Sequence, residues 1–164
     1  MNPKYYSFES PIGKLTVYFT DKGIIALSLG EEDNHKHIER HYGTPTEVDK
    51  KDYNYHEEII KYLNGELKRF TMPIYFKGTH FQESVWKELL NIHYGETRTY
   101  KELAEKVGSP KGFRAVGGAL NKNPIGIIVP CHRVIGSNGK LVGFAGGLDL
   151  KSRLLNLEKN NVEK

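Results

Sequence analysis

The chain contains one cysteine, inside Pro130-Cys131-His132-Arg133-Val134. A single thiol excludes an internal disulfide and leaves too few ligands for a cysteine-built metal cage. Two roles remain, an inert core thiol or a nucleophile. The thiolate is the reactive form of cysteine, and nearby basic groups favour it. His132 and Arg133 follow directly, which points to nucleophilic chemistry at Cys131. Such a thiol needs a base, and the base needs an orienting group. Adjacent side chains in an extended segment point to opposite faces. His132 would therefore serve Cys131 only through a turn or a bridging water.

The C-terminal residues offer an orienting group. At about 100° per residue over Leu148 to Lys159, Leu150, Leu154 and Leu157 form one stripe, and Glu158 falls within it. A carboxylate there either pairs inside the fold or sits at the rim with its head in water. Pairing with His132 would complete a Cys131–water–His132–Glu158 relay, and the sequence leaves both readings open. Asn123-Pro124 precedes the apolar run Ile125 to Val129, so Asn123 either fixes a turn at the site or makes a local one. Gly143-Phe144-Ala145-Gly146-Gly147 either lets a flat ligand approach the backbone or is a plain connection. His35, His37 and His41 lie on a polar stretch, and no phosphate loop or dinucleotide fingerprint is present. No cofactor and no metal is expected.

These residues need a scaffold. The 164 residues are 38% hydrophobic and 27% charged, enough for one domain or two small ones. No apolar run approaches the roughly 20 residues of a membrane span. The N-terminus lacks the apolar core of a signal peptide, so no membrane association and a reducing, cytoplasmic setting are expected. Net charge is +4, distributed as −1 over residues 1–78 and +5 over residues 79–164. The basic half carries Cys131, which is compatible with a nucleic-acid partner or with simple solubility.

Residues 1–76 read as strands followed by a helix. Tyr5 to Phe8, Leu15 to Phe19 and Ile24 to Leu29 are strand candidates separated by turn signals. The polar stretch 31–41 reads as a helix, 43–52 as loop, Tyr55 to Asn64 as a helix, and Phe70 to Phe76 as a strand or extended linker. Residues 79–164 read as mostly helical, with helices over Phe81 to His93, Tyr100 to Val107 capped by Thr99, about Lys111 to Asn121, and Leu148 to Lys159. The second and third of these, joined by Gly108-Ser109-Pro110, suggest a helix-turn-helix. On the third, Phe113, Val116, Ala119 and Leu120 cluster on one side, and Arg114, Ala115, Gly118, Asn121 and Lys122 on the other. Gly117 and Gly118 each cost about 1 kcal/mol in a helix interior relative to Ala. Close approach to another surface explains that cost, either a packed helix or a nucleic-acid groove.

Together these residues resemble the O6-alkylguanine-DNA alkyltransferase family, also called methylated-DNA–protein-cysteine methyltransferases. The resemblance rests on Pro130 to Val134, Arg114 to Ala119, Asn123-Pro124, Tyr100, Gly146-Gly147-Leu148 and Leu154 to Glu158. Phe81-Gln82, Val85-Trp86 and Tyr94 to Thr97 extend it over residues 79–160. It implies an α+β protein. Residues 1–76 would be a ribonuclease-H-like α/β domain with an antiparallel sheet. Residues 79–164 would be a mostly helical DNA-binding and methyl-acceptor domain containing the helix-turn-helix. Cys131 would accept the alkyl group, His132 would deprotonate it through a water, Glu158 would orient His132, and Asn123 would hold the active-site turn. Tyr100 would assist rotation of the nucleotide and donate to the departing guanine. Arg114 would fill the gap in the base stack, with Tyr100, Ala115, Gly118 and Ser137 as further DNA contacts. The implied partner is double-stranded DNA containing O6-alkylguanine, bound through the minor groove by a monomer, with O4-methylthymine as a second candidate substrate. The reaction would be irreversible and single-turnover, without a cofactor. Phe144 and Ala145 stand where many members carry Tyr and some carry Ser. Three rivals are a non-catalytic binder of alkylated DNA, a helix-turn-helix regulator and a cysteine hydrolase. The presence of Cys131 argues against the first, the regulator would not need Cys131, His132 and Glu158 together, and adjacency of Cys131 and His132 denies the hydrolase a direct base geometry.

Overall fold

In the computed structural model, which describes residues 2–30, 34–139 and 147–162, the three apolar N-terminal stretches form an antiparallel meander. β1 (Lys4–Ser10) pairs with β2 (Gly13–Thr20), and β2 with β3 (Gly23–Leu29). A two-residue strand, β4 (Thr46–Glu47), adds to β1 in parallel, giving the order β3-β2-β1-β4. Side chains alternate along each strand and so set the layers. Tyr5, Tyr18 and Ala26 are cross-strand neighbours on one face, where Ile38 of α1 (His35–Tyr42) packs on them. Tyr6 and Val17 share the other face. There the Tyr6 hydroxyl meets His56 Nδ1 at 2.9 Å, at the start of α2 (His56–Leu63). β2 from Leu15 and β3 from Gly23 are consequently buried on both faces. They therefore read as continuous apolar runs rather than alternating ones, and each buried Val, Leu or Ile contributes about 1.5–3 kcal/mol.

The outer edge of β3 is covered rather than exposed. Ile24 N donates to Pro73 O at 2.9 Å, Tyr75 N to Ile24 O at 2.8 Å, and Leu27 N to Pro124 O at 2.9 Å. Paired edges do not recruit other chains. Gly23 is required at this crossing: its φ is +127°, and a Cβ there would collide with the Pro73 carbonyl. Residues 70–76 meet the sheet at a bridge between Ile24 and Ile74, without a full strand. Residues 43–52 hold β4 and a 3-10 turn at Lys50–Asp52 in place of the plain loop expected. Their polar composition hides a short strand that satisfies the edge of β1. Two units result, Met1–Lys77 with Pro124–Ile128, and Gly78–Asn123 with Val129–Lys164. The return of Pro124–Ile128 to the first unit has no local signal in the sequence.

In the second unit, α3 (His80–Leu89) starts at Thr79 with a capping box shared with Gln82. It ends at Leu89 rather than near His93. The N–H groups of Leu90, Asn91 and Ile92 turn to the carbonyls three residues back, at 3.2, 3.0 and 3.0 Å, which tightens the last turn. α4 (Tyr100–Lys106) begins with a second capping box, between Thr99 and Glu102. It ends in a Schellman motif, with Ser109 N on Ala104 O at 2.9 Å, Gly108 N on Glu105 O at 3.1 Å, and Gly108 at φ +78°. This turn leads to α5 (Phe113–Asn121), which starts two residues later than expected because Gly112 takes the cap position. The Trp86 indole donates to Ala119 O at 2.8 Å, fastening α3 to α5. β5 (Arg98–Thr99) and β6 (Val134–Ile135) pair in parallel, and α6 (Leu148–Asn161) closes the chain. No helix among the described residues is long and apolar enough to cross a membrane.

Candidate active site

The backbone before Cys131 changes direction twice. Ile128 N donates to Gly126 O at 2.8 Å around Ile127, whose φ is +71°. That is a γ-turn of the strained hand, and a β-branched residue there stores about 1–3 kcal/mol. Pro130, at φ −82° and ψ 67°, makes an inverse γ-turn with Cys131 N on Val129 O at 2.8 Å. Asn123 Nδ2 also donates to Val129 O, at 2.9 Å, and so holds the second turn. Cys131 then opens a 3-10 turn, Cys131–Arg133. Successive side chains diverge by about 120° in such a turn, so Cys131 is partly exposed while His132 is fully buried.

His132 and Glu158, 26 residues apart, meet inside the second unit with Nε2 and Oε2 at 2.7 Å. Glu158 is only 1% exposed, so its head is not in water at a rim. Arg133 grips the same carboxylate with two bonds, Nε to Oε1 and Nη2 to Oε2, both at 2.8 Å. Gly95 N adds a bond to Oε1 at 3.2 Å. Each carboxylate oxygen thus accepts two hydrogen bonds, filling the capacity of the group. Arg133 Nη1 donates to Ile92 O at 2.6 Å, which uses the turn that ends α3. Burial pushes the Glu158 carboxyl up, but the hydrogen bonds and charges of His132 and Arg133 outweigh it and hold the pKa at about 2. Burial lowers the His132 pKa below its ordinary value, against the raising effect of Glu158. An ionised carboxylate can only accept, so His132 carries its proton on Nε2 and is otherwise neutral.

The β5–β6 pair sets Thr99 opposite Ile135, which carries Tyr100 toward the Cys131 turn. Burial and then the Cys131 charge raise the Tyr100 phenol, which stays protonated. Lys151, in the first turns of α6, is fully buried with Nζ 6.0 Å from the Tyr100 ring centre. Burial lowers its pKa and Cys131 raises it in part. Read from the sequence, Lys151 has no role, and Arg133 has only that of a basic neighbour of Cys131, not that of a partner of Glu158. Both had signals: Lys151 lies seven residues before Glu158 on the same helical face, and Arg133 is a charge inside an apolar segment.

Arg114, Ala115 and Gly118 lie exposed on α5, while Val116, Ala119 and Leu120 are buried beneath. Phe113, expected with the buried set, is 48% exposed because it stands in the first turn, beyond the packed stretch. Among the described residues, a Cβ on Gly117 or Gly118 would meet nothing within 4 Å. Internal helix packing therefore does not explain those glycines. Ser137 is exposed in the turn closed by Gly139 N on Gly136 O at 2.9 Å. Phe144, Ala145 and Gly146 lie outside the described residues. No hydrogen bond joins Arg114, Ala115 or Gly118 to the Cys131 cluster among the described residues. Nor do the described residues gather three His, Cys, Asp or Glu side chains for a metal ion.

Two family models match this chain. The 6-O-methylguanine DNA methyltransferase ribonuclease-like domain covers residues 4–76, and the DNA-binding domain of the same family covers residues 80–160. A methylated-DNA–protein-cysteine methyltransferase of Methanosarcina barkeri is 46% identical over 162 residues, 96% of this chain and 99% of its own. The chain belongs to this family. A Mycobacterium bovis family member is 43% identical over 164 residues, 96% of this chain and 93% of its own. The crystal structure of Mycobacterium tuberculosis O6-methylguanine methyltransferase superposes with a TM-score of 0.82 at 42% identity, over 97% of this chain and 94% of that one. A second Mycobacterium tuberculosis structure, in complex with DNA, gives 0.83 at 41% identity over 96% and 94%. The family's two-domain architecture, a ribonuclease-like α/β domain and a helical domain, is therefore the fold of this chain.

Proposed function

We propose that this protein repairs DNA by moving an alkyl group from guanine O6 onto Cys131, once per molecule. The observation that carries the reading is the buried His132–Glu158 pair immediately beside a partly exposed thiol, at 2.7 Å, in a chain of this family. Because Glu158 holds Nε2–H, Nδ1 is the ring atom able to take a proton, and a bridging water would deliver it from Cys131. The Lys151 side chain, which interacts favourably with a charged Cys131, favours the resulting thiolate. The sulfur attacks the sp3 carbon on O6; the S–C bond forms as the C–O bond breaks. Tyr100, held protonated, donates to the departing guanine and is reprotonated from His132. The product is a thioether, which offers no route back to the thiol, so turnover stops after one event.

The alkyl group is inside the duplex stack, so the nucleotide must be flipped out. The exposed α5 face supports this. Ala115 and Gly118 are small enough for a minor groove, Arg114 reaches into the space left by the flipped base, and Ser137 adds a contact. The Mycobacterium tuberculosis relative solved with DNA supports duplex DNA as the partner. One copy carries every residue of this scheme, so it operates as a monomer; O4-methylthymine is a second substrate of the same chemistry. A reducing, cytoplasmic setting keeps the single thiol available.

Intact mass after incubation with a duplex containing one O6-methylguanine tests this. A single stable gain of one CH2 mapped to Cys131, and absent in Cys131→Ser, is the expected result. DNA binding without a mass change would replace the reading with that of a non-catalytic binder.

A further inference from the structure

The first unit has a hollow of about 330 Å³ between the β2–β3 turn, the end of α1 and the segment after Pro73. Its cations come from three places in the chain, Lys22, Arg40 and Lys77, with His41 beside Arg40. No carboxylate is among the described residues that line it; Asp21 faces a neighbouring hollow. Like charges repel, and folded proteins commonly hold an ammonium in place with a carboxylate. Here aromatic faces do so. Lys22 Nζ lies 4.5 Å from the Tyr75 ring centre and Lys77 Nζ 4.7 Å from that of Tyr42. Lys77 also donates to His41 O at 3.2 Å. A π face positions an ammonium without neutralising it. Among the described residues, none of Lys22, Arg40 and Lys77 is in an ion pair.

The helix dipole accounts for part of this cluster, since cations are favoured at a helix C-terminus. It does not account for Lys22, which arrives from a sheet turn, nor for the missing carboxylate. The crowding registers in the histidines. Burial, then Arg40 and Lys77, lower the His41 pKa, and burial, His41 and Arg40 bring His37 down to about 4.

We infer that this hollow is a binding site for a phosphate group, carried on a nucleotide, a polyphosphate or a nucleic-acid strand. Two ammoniums and a guanidinium converge from different elements, and the guanidinium fork matches phosphate oxygens. The site belongs to the first unit alone and does not depend on the alkyl-transfer reading.

Histidine and tyrosine NMR spectra of the full chain, titrated with pyrophosphate, a nucleoside monophosphate and a short single-stranded oligonucleotide, test it. His41, Tyr42 and Tyr75 signals should move with at least one of these ligands. Affinity should fall about tenfold in Lys22→Ala and in Arg40→Ala, both exposed positions, since each removes a charge-assisted bond. Strongest response to the oligonucleotide assigns a strand backbone; strongest response to pyrophosphate or the monophosphate assigns a free ligand. No shift at millimolar ligand, equal shifts in the two variants, or equal affinity for a polyglutamate peptide would overturn the inference. Alkyl transfer by both variants, measured by mass, should match wild type, which separates failure here from failure of the repair reading.

Discussion

Glu158 is the residue on which the site turns. Its carboxylate satisfies Arg133, His132 and Gly95 N at once, so removing its charge leaves a buried guanidinium uncompensated. Glu158→Gln should cost about 3 kcal/mol in urea unfolding at neutral pH and slow alkyl transfer sharply. The pH dependence has a definite sign. The folded-state pKa is about 2 against an ordinary 4.5, so this stabilisation is complete above pH 4.5 and is lost as pH falls toward 2. His132, neutral when folded and below its ordinary 6.5, adds a loss that begins as pH drops through 6.5, because the unfolded chain then takes up a proton. Unfolding curves of wild type and Glu158→Gln from pH 7 to 3 should therefore converge in acid. A gap that stays constant with pH would show that the carboxylate charge is not what stabilises the fold. The stripe of apolar residues on α6 made the burial of Glu158 a readable option. The sequence offers His132 as its partner; that Arg133 and Gly95 N share the same carboxylate is not readable, because contacts over 25 and 63 residues are set by packing between elements.

At the scale of elements, α5 separates stability from binding. Gly117 and Gly118 weaken the helix without being needed by any described neighbour. Gly118→Leu should raise unfolding free energy by roughly 0.5–1 kcal/mol through helix propensity. It should also weaken duplex DNA binding at least about tenfold, if a groove lies against that face. Gel-shift titration beside urea unfolding measures both. A variant that gains stability and keeps full affinity would take α5 out of the interface. The helix boundaries here follow from residues a few positions apart. Thr99 with Glu102 and Thr79 with Gln82 start helices, and Gly108 ends one. α3 ends before its apolar pattern does, because Leu90 and Ile92 continue the pattern while the backbone has already tightened.

For the whole molecule, the expected consequence of alkylation is a loss of stability. A methyl on Cys131 adds volume at a turn already held by Asn123, beside the packed His132–Glu158 pair. Overpacking of that kind costs about 1–3 kcal/mol, and in a chain of this size it should lower Tm by several degrees. Scanning calorimetry of the protein before and after one equivalent of methylated duplex, with DNA removed, reads this directly; equal Tm values would exclude crowding at the turn. The residues on their own carry the type of chemistry: one thiol among basic groups, a carboxylate on an apolar stripe, small residues on a helix face. They also carry the meander and most helix limits, since short apolar runs, turn signals, caps and turn glycines act over a few positions. The fold in three dimensions settles other things. It brings Glu158 to His132 and Arg133, buries Lys151 beside Tyr100, returns Pro124–Ile128 to the edge of β3, and collects Lys22, Arg40 and Lys77 around one hollow. Those pairings depend on which distant surfaces exclude water together, and periodicity within a single segment carries no information about its partner.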